Sequence, residues 1–164
     1  MESGPEIRPA TEADLGWMLN LNIRFQDLLS PLDQAGLSAL TDVALLTWVA
    51  EPSAGFMVAF DQDGQYDSQN FRWFQERYQR FVYVDRIAAN PDTGQRGIGR
   101  AFYQALFRRA AEDGYPVICA EVNSDPPNDA SIAFHQKLGF DTVGEARLSD
   151  RGKSVAYFAR RLDQ

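Results

Sequence analysis

The first half of the chain alternates between helical and strand patterns of hydrophobic positions. Near the N-terminus, apolar residues at helical spacing predict a helix that ends before Pro31. Residues 35–40 fit either a short helix or a loop, and the apolar runs 44–50 and 55–60 predict two strands joined as a hairpin. Residues 66–79 are rich in aromatic side chains and arginine, which indicates a short helix placed as a lid.

The second half shows a regular succession of strands and helices. Its predicted elements are a central strand at 81–89, an amphipathic helix at 98–113 closed by Gly114, a buried strand at 117–122, a helix from Asn128 to Gly139, and strands at 141–148 and 155–161 around a turn at 150–152. This order predicts a mixed α/β sheet. A length of 164 residues is typical of one domain, so we expect residues 1–164 to share one core and one site.

The charge balance excludes several classes of partner. Sixteen basic and 23 acidic residues give a formal net charge of −7, so we expect binding neither to nucleic acid nor to an anionic membrane. The whole excess lies before Asn90, because residues 1–89 contain six basic and thirteen acidic side chains and the remainder contains ten of each. These acidic side chains either keep the protein soluble or line a site for a cationic partner.

Cysteine and histidine are too few for a disulfide or a zinc site. The chain contains one of each, Cys119 and His135, so we expect no internal disulfide and no metal. The first residues carry no apolar signal segment, and the longest apolar runs are far short of a membrane span. The expected compartment is therefore the reducing cytoplasm.

A glycine-rich loop joins the predicted strand 81–89 to the helix 98–113. Gly94, Gly97 and Gly99 allow the backbone to turn sharply and to expose consecutive N–H groups at a helix N-terminus, where the helix dipole favours anions. The spacing differs from the G-x-G-x-x-G dinucleotide fingerprint, and the lysine of a P-loop is missing. Taken alone, the loop is either a pyrophosphate site or an ordinary turn into a helix.

A second motif follows on the next predicted helix. Its residues are Asn128, Ser131, Phe134, His135, Leu138, Gly139 and Phe140. Together with the glycine loop, this motif resembles the GNAT superfamily of N-acetyltransferases, whose motifs read V-x-P-x-x-R/Q-G-x-G-x-G/A and N-x-x-A/S-x-x-F-Y/H-x-x-x-G-F. The resemblance covers residues 81–148 well, and the first 80 residues correspond to the family's variable acceptor half.

The chain departs from the family pattern at four positions. Gly94 stands where the family usually has Arg or Gln, and Gln95 stands where it usually has Gly, so a side-chain phosphate contact is either lost or supplied by a neighbouring residue. Ala89 replaces the usual valine at the end of the strand. The tyrosine that often serves these enzymes as general acid falls at His135.

The resemblance implies a fold and a cosubstrate. The fold is a single mixed, mostly antiparallel sheet of about seven strands flanked by helices and splayed between strands 81–89 and 117–122, with an acceptor-side half at 1–80 and an acetyl-CoA-binding half at 81–164. The pyrophosphate of acetyl-CoA would lie on the loop amides, and its pantetheine arm along strand 81–89, where an N–H near Ile87 would polarise the thioester carbonyl. The residues that the resemblance assigns to acetyl-CoA are Ile87, Ala88, Ala89, Gly94, Gln95, Arg96, Gly97, Ile98, Gly99, Arg100, Asn123, Asn128 and Ser131.

Two carboxylates are candidates for the general base. An amine must be neutral to attack a thioester, so a neighbouring group has to take its proton. Asp85 lies in an apolar strand, and strict alternation of side chains places it on the same face as Tyr83, Ile87 and Ala89. It is either this base or the ion-pair partner of a flanking arginine. Glu121, on the next strand, is either a second base or an ion-pair partner of helix 98–113.

His135 is the candidate acid for the departing thiolate. It lies one helical turn after Ser131 beside an apolar stripe, so it is either the acid or a packing residue. Tyr83 and Tyr157 are substitutes for it. Cys119 has no base at a recognisable spacing, which favours direct transfer without an acyl-enzyme.

Two functional hypotheses follow from these features. The first is transfer of an acetyl group from acetyl-CoA to a primary amine of a small molecule or of a peptide or protein N-terminus, by a monomer or a homodimer. The acidic first half would favour a cationic acceptor through residues such as Glu12, Asp14, Asp27, Asp33 and Asp42. The alternative is a non-catalytic acyl-CoA-binding sensor or interaction module that keeps the cofactor loop.

Overall fold

The computed structural model describes residues 5–148 and 152–162. Across these residues, seven strands form one sheet in the order β1-β2-β3-β4-β5-β7-β6. The strands are β1 (Ile7–Pro9), β2 (Leu46–Ala50), β3 (Gly55–Asp61), β4 (Val82–Ala89), β5 (Val117–Asp125), β6 (Asp141–Leu148) and β7 (Lys153–Arg161). The α-helices are α1 (Leu15–Arg24), α2 (Gln34–Val43), α3 (Gln69–Gln75), α4 (Ile98–Glu112) and α5 (Asp129–Lys137).

The sheet is split between its two central strands. Neighbouring strands are antiparallel except β4 and β5, which run parallel and pair only from Val82 opposite Ile118 to Val84 opposite Ala120. Beyond Val84, β4 remains paired with β3 and β5 with β7, so the two strands diverge toward their carboxyl ends. The prediction of a mixed, mostly antiparallel sheet splayed at this point is confirmed.

Helices cover both faces of the sheet and define two cores. On one face, α1, α2 and α3 pack apolar side chains such as Met18, Leu37 and Phe74 against the sheet. On the other face, α4 contributes Phe102 and Leu106 to a second core. The faces are called the α1–α3 face and the α4–α5 face below. Because side chains alternate between two buried faces, the central strands are apolar where they pair, at residues 82–84 and 118–120.

A β-bulge in β4 changes the predicted orientation of its side chains. The register between β3 and β4 shifts between Val58 and Ala59, which leaves Asp85 as an extra residue in β4. Tyr83 packs on the α1–α3 face, whereas Ile87 packs on the opposite face. The prediction that Asp85 shares one face with both is therefore wrong, because one extra residue reverses the alternation that follows it.

The aromatic segment 66–79 contains the predicted short helix, α3, but this helix packs its apolar face against the sheet instead of forming a lid. Phe71 and Phe74 of α3 are fully buried between this helix and the sheet. Trp73 stacks on Tyr157 of β7, with ring centroids 4.3 Å apart, and a Cβ on Gly144 would collide with the Trp73 ring. The helix thus packs as part of the α1–α3 face.

The predicted boundaries agree closely for α4 and α5, but α1 ends at Arg24, before the end expected at Pro31. Residues 35–40 lie within α2, which resolves the choice between helix and loop. Asn128 caps α5, and Gly114 and Gly139 adopt positive φ (83° and 94°) directly after α4 and α5. Most of the predicted turn at 150–152 lies outside the described residues; of it, only Gly152 is described.

Candidate active site

The divergence of β4 and β5 opens a cavity of about 280 Å³. Its walls include residues 84–89 of β4 and residues 120–123 of β5, so Ile87, Ala88, Ala89 and Asn123 all border the opening. Past Val84 these strands no longer pair with each other, so backbone groups facing the opening are free to bind an extended ligand.

The glycine loop presents a row of free amides at the N-terminus of α4. Gly94 and Gly97 have φ of 72° and 73°, a conformation that L side chains rarely adopt, and Gly97 is the N-cap of the helix. The Ala101 amide donates to the Gly97 carbonyl (2.9 Å), whereas the amides of residues 96–100 find no acceptor in the described part of the chain. Such a row suits a pyrophosphate.

The side chains of the loop divide into a structural and a free group. Ile98 is buried in the α4–α5 core, and the Gln95 side chain donates to the Glu51 carbonyl (3.1 Å), which ties the loop to the β2–β3 turn. Arg96 and Arg100 are exposed and form no salt bridge within residues 5–148 and 152–162. These two guanidinium groups are available for phosphates.

Gly99 allows α4 and α5 to approach closely. A Cβ at this position would lie 3.1 Å from the Phe134 ring, tighter than most packed contacts. In α5, the Asn128 side chain accepts the Ser131 amide (3.3 Å) as a helix cap, and both residues also line the cavity. The motif on α5 therefore both caps the N-terminus of the helix and forms part of the cavity wall.

Glu121 lies at the split and has no cationic partner in the described structure. The Tyr83 hydroxyl donates to both of its carboxylate oxygens (2.7 and 2.8 Å), and the Asn70 side chain donates at 3.1 Å. The predicted alternative, an ion pair with an arginine of α4, is therefore not the observed arrangement. Burial and the nearby charge of Asp85 raise the pKa of Glu121 to about 7, against the opposing effect of its two hydrogen-bond donors.

Asp85 is held in a buried ion pair with the next residue. The Arg86 Nε donates to its Oδ2 (2.7 Å) and the Tyr66 hydroxyl donates to its Oδ1 (2.7 Å), with the two charged side chains only 4% and 3% exposed. The Arg86 Nη1 donates in turn to Asn22 Oδ1 and to the Ser30 carbonyl, both at 2.9 Å. This is the flanking-arginine alternative, made possible by the bulge that turns both side chains toward the α1–α3 face.

His135 is buried, and both of its ring nitrogens are engaged. Nδ1 lies 2.8 Å from the Ser131 carbonyl oxygen, and Nε2 lies 2.7 Å from the Tyr103 hydroxyl. Its ring packs among Phe140 and Phe158, and this burial lowers the pKa of the imidazole. Both His135 and Tyr103 line the cavity.

Tyr103 and Asn70 are site residues that the sequence analysis missed. Tyr103 occupies the buried stripe of α4 next to Phe102, where a phenol hydroxyl requires a partner, and that requirement is the signal that could have identified it. Asn70 accepts the Tyr157 hydroxyl (2.8 Å) while donating to Glu121, and no sequence signal links a residue of the aromatic segment to β5.

The acidic residues of the first half lie elsewhere. Of Glu12, Asp14, Asp27, Asp33 and Asp42, none lines the cavity at the split among the residues described. Asp14 is paired with Arg8 (2.8 Å), and Asp33 caps α2. Within the described ranges, no cluster of histidine, cysteine and carboxylate side chains has the arrangement of a metal site, and no helix is both long and apolar enough to span a membrane.

Comparison with known proteins places this geometry in a family. Residues 24–140 match the model of the acetyltransferase (GNAT) family. The chain is 33% identical over 97 residues to L-methionine sulfoximine/L-methionine sulfone acetyltransferases of Pseudomonas aeruginosa and Pseudomonas paraeruginosa, a match that covers 59% of this chain and 51% of theirs. The match thus spans about half the length of these curated relatives.

Solved structures share the fold over nearly the whole chain. Ard1 from Thermoplasma volcanium superposes with a TM-score of 0.74 at 18% identity, covering 99% of this chain and 100% of that one. The putative acetyltransferase yncA from Salmonella typhimurium, solved with its cofactor acetyl-CoA, superposes with a TM-score of 0.69 at 21% identity, covering 99% and 96%. The family match over most of the sequence, together with the shared fold, shows that the chain belongs to the acetyltransferase (GNAT) family.

Proposed function

We propose that this protein transfers the acetyl group of acetyl-CoA directly to a primary amine, with Glu121 as the general base. The observation that carries the proposal is a carboxylate at the split of the sheet, without a cationic partner in the described residues, whose pKa is raised to about 7. A base with such a pKa is half ionised near neutral pH, so it can take a proton from an incoming ammonium group. Asp85 is less suited to this role, because the Arg86 guanidinium 2.7 Å from its Oδ2 compensates its charge, whereas Glu121 has no such partner among the described residues.

The residues around the split fit acetyl-CoA as cosubstrate. The free amides of residues 96–100 and the exposed Arg96 and Arg100 suit its phosphates, and the unpaired edges of β4 and β5 suit its pantetheine arm. When bound, acetyl-CoA supplies an activated thioester. The chain supplies the orientation of that thioester, a backbone donor near Ile87 for the oxyanion, and the base that prepares the amine.

An apolar patch borders the acceptor side of the cavity, which supports an amine carried on an apolar group. Phe25, Leu28 and Leu29, which follow α1, line the cavity, and Leu28 is 52% exposed. The charges of Asp85 and Arg86 compensate each other there. This favours a small apolar amine or a peptide N-terminus over a polycation. The acceptors named for the relatives, L-methionine sulfoximine and L-methionine sulfone, belong in the first set of amines tested.

The test is release of the coenzyme A thiol from acetyl-CoA in the presence of an amine panel. The panel contains the proteinogenic amino acids, L-methionine sulfone, short peptides with free N-termini, and aliphatic diamines. We expect turnover with at least one apolar primary amine. Retained binding of acetyl-CoA without thiol release for any amine would instead identify the non-catalytic acyl-CoA-binding module.

The Glu121→Gln variant tests the base. We expect kcat to fall by about 10²- to 10⁴-fold, because the amide cannot take a proton. In the wild type, kcat/KM should fall as the pH is lowered through about 7, where Glu121 becomes protonated, and this dependence should disappear in the variant. The matched control is Glu145→Gln, an exposed carboxylate of β6 outside the cavity, which should keep the wild-type rate and pH profile. An unchanged rate in Glu121→Gln would contradict the assignment.

A further inference from the structure

The Asn70 side chain lies between two polar groups of the α1–α3 face and bonds to both. It is buried at the start of α3, where its Nδ2 lies 3.1 Å from Glu121 Oε1 and its Oδ1 lies 2.8 Å from the Tyr157 hydroxyl. An ionised carboxylate can only accept hydrogen bonds, so the amide nitrogen faces Glu121 and the amide oxygen faces Tyr157, whose hydroxyl then donates. The donors of Tyr157 and Asn70 therefore both point toward the Glu121 carboxylate.

Tyr157 stabilises this orientation of the Asn70 amide. Its side chain is fully buried on β7, at the ladder position opposite Glu121. Its ring stacks on Trp73, with centroids 4.3 Å apart, and Trp73 belongs to the same helix as Asn70. The helix thus brings both the stacking ring and the amide to Tyr157. By satisfying the amide oxygen, the Tyr157 hydroxyl leaves the amide nitrogen directed at Glu121.

The other groups around Glu121 supply only one further donor within the described ranges. Tyr83 of β4 shares one hydroxyl hydrogen between both carboxylate oxygens (2.7 and 2.8 Å). Asp85 of β4 adds a negative charge, which Arg86 compensates at 2.7 Å. The remaining titratable groups on the elements packed around Glu121 favour their neutral forms, because burial raises the pKa of the phenols and lowers the pKa of the imidazole; they are Tyr66 before α3, Tyr103 of α4, Tyr157 of β7 and His135 of α5.

We propose that Asn70 is a positioning residue that stabilises the ionised form of Glu121, and that Tyr157 acts through it by fixing the orientation of the amide. This inference rests on the proposed acetyl transfer and deepens it. A donor to a carboxylate favours the ionised form, which is the form that can take a proton from the amine. Asn70 therefore sets the lower end of the pH range in which Glu121 acts as a base.

The Asn70→Leu variant removes both hydrogen bonds and keeps a side chain of similar size. We expect the acid limb of kcat/KM to move up by about one pH unit, because a hydrogen bond to an ionised group is stronger than one to a neutral group. The ratio of variant to wild-type kcat/KM with the same amine cancels the ionisation of the amine itself. This ratio should be close to one at about pH 9 and should fall to about 0.1 at about pH 6.

The Tyr157→Phe variant tests the order of the chain of hydrogen bonds. It keeps the ring that stacks on Trp73 and removes only the hydroxyl that fixes the Asn70 amide, so it remains a test where Asn70→Leu fails to fold. We expect a shift in the same direction and of smaller size. The double variant should behave as Asn70→Leu alone, because Tyr157 has no effect on Glu121 once the amide is gone. Additive shifts would overturn the claim that Tyr157 acts through Asn70.

The matched control is Ser68→Ala in the same helix. The Ser68 hydroxyl caps α3 by accepting the Phe71 amide (3.3 Å), and Ser68 does not line the cavity. Its loss loosens the start of the helix without removing a donor to Glu121. The ratio of kcat/KM to wild type should therefore show no dependence on pH in this variant.

The pKa of Glu121 is measured directly by NMR titration of the side-chain carboxyl carbon in protein labelled with ¹³C-glutamate, with Glu121→Gln identifying the signal. Asn70→Leu should raise this pKa by the amount seen in the rate profile. An unchanged titration, or a loss of rate that is equal at every pH, would overturn the role of Asn70 and leave the proposed function standing. A wild-type protein that releases no thiol with any amine would overturn the proposed function, while the titration still decides the role of Asn70.

Discussion

Asp85 and Glu121 are carboxylates on neighbouring strands that lie in different electrostatic environments. Asp85 has a guanidinium 2.7 Å away and a phenol on its other oxygen, so its negative charge is compensated where it lies. Among the described residues, Glu121 receives hydrogen bonds from neutral donors alone, Tyr83 and Asn70. Burial without a counter-charge is costly for an ionised group, and it is this cost that moves the pKa of Glu121 into the working range of a base.

Asp85→Asn should destabilise the fold rather than act first on the chemistry. The variant leaves the Arg86 guanidinium buried without a counter-charge, and breaking such a pair costs about 3–5 kcal/mol. Urea unfolding should report this loss. A double variant that also carries Arg86→Met should recover part of it, because no unpaired charge is left. Unchanged stability together with lost turnover would return the role of base to Asp85.

At the scale of elements, the unit formed by β4, the glycine loop and α4 shapes the proposed cofactor site. The bulge at Asp85 and the early end of β4–β5 pairing open the channel, and positive φ at Gly94 and Gly97 aims the free amides of the loop. Gly99 is a poor probe of this site, because a side chain there would press on Phe134 and disturb the contact between α4 and α5. The exposed arginines of the loop are better probes.

Arg96→Ala and Arg100→Ala should weaken binding of coenzyme A without affecting the fold. A charge-assisted hydrogen bond to phosphate contributes about 1.5–3 kcal/mol, so each variant should raise the dissociation constant by about 10-fold or more. Isothermal titration measures this effect, and urea unfolding should show a change below about 0.5 kcal/mol, since both side chains are exposed. Arg108→Ala, on the exposed face of α4 two to three turns away, is the control. If Arg96→Ala and Arg100→Ala bound coenzyme A as tightly as the Arg108→Ala control, the assignment of both arginines to the phosphates would be contradicted.

For the whole molecule, the split makes the stability of the sheet depend on the ligand that binds between β4 and β5. The central strands β4 and β5 share only three residue pairs, from Val82 and Ile118 to Val84 and Ala120, so the two halves of the sheet meet over a short ladder. A ligand that binds both strands bridges the two halves. Binding to the folded state alone then stabilises the fold by mass action.

Coenzyme A should therefore raise the Tm of the protein. At a concentration of 100 times the dissociation constant, binding contributes about 2.7 kcal/mol, which corresponds to a rise in Tm of about 5–10 °C for a chain of this size. Differential scanning fluorimetry with and without coenzyme A measures the shift, and adenosine alone serves as a control that lacks the pantetheine arm and the pyrophosphate. No shift at any coenzyme A concentration would contradict the cosubstrate assignment.

Motifs of local origin were predictable from the sequence. The glycine loop, the α5 motif and the helix ends depend on neighbours a few residues apart, so glycine and asparagine at fixed spacings were sufficient to locate them. The apolar runs likewise located the strands of the split sheet. The lid prediction for residues 66–79 failed because aromatic richness does not show what a segment packs against. Phe71 and Phe74 are buried between α3 and the sheet.

The sequence by itself thus determined the order of elements, the family and the place of the glycine loop, because these follow from periodicity and short-range spacing. Only the tertiary structure decided which carboxylate is paired and which is not, and which side chain faces His135. The bulge at Asp85 shifts the alternation of β4 by one residue, and the partners of Glu121 and His135 come from α3, β4 and α4, far away in the chain. Protonation depends on such distant neighbours, so the acid–base chemistry of this site is a property of the fold.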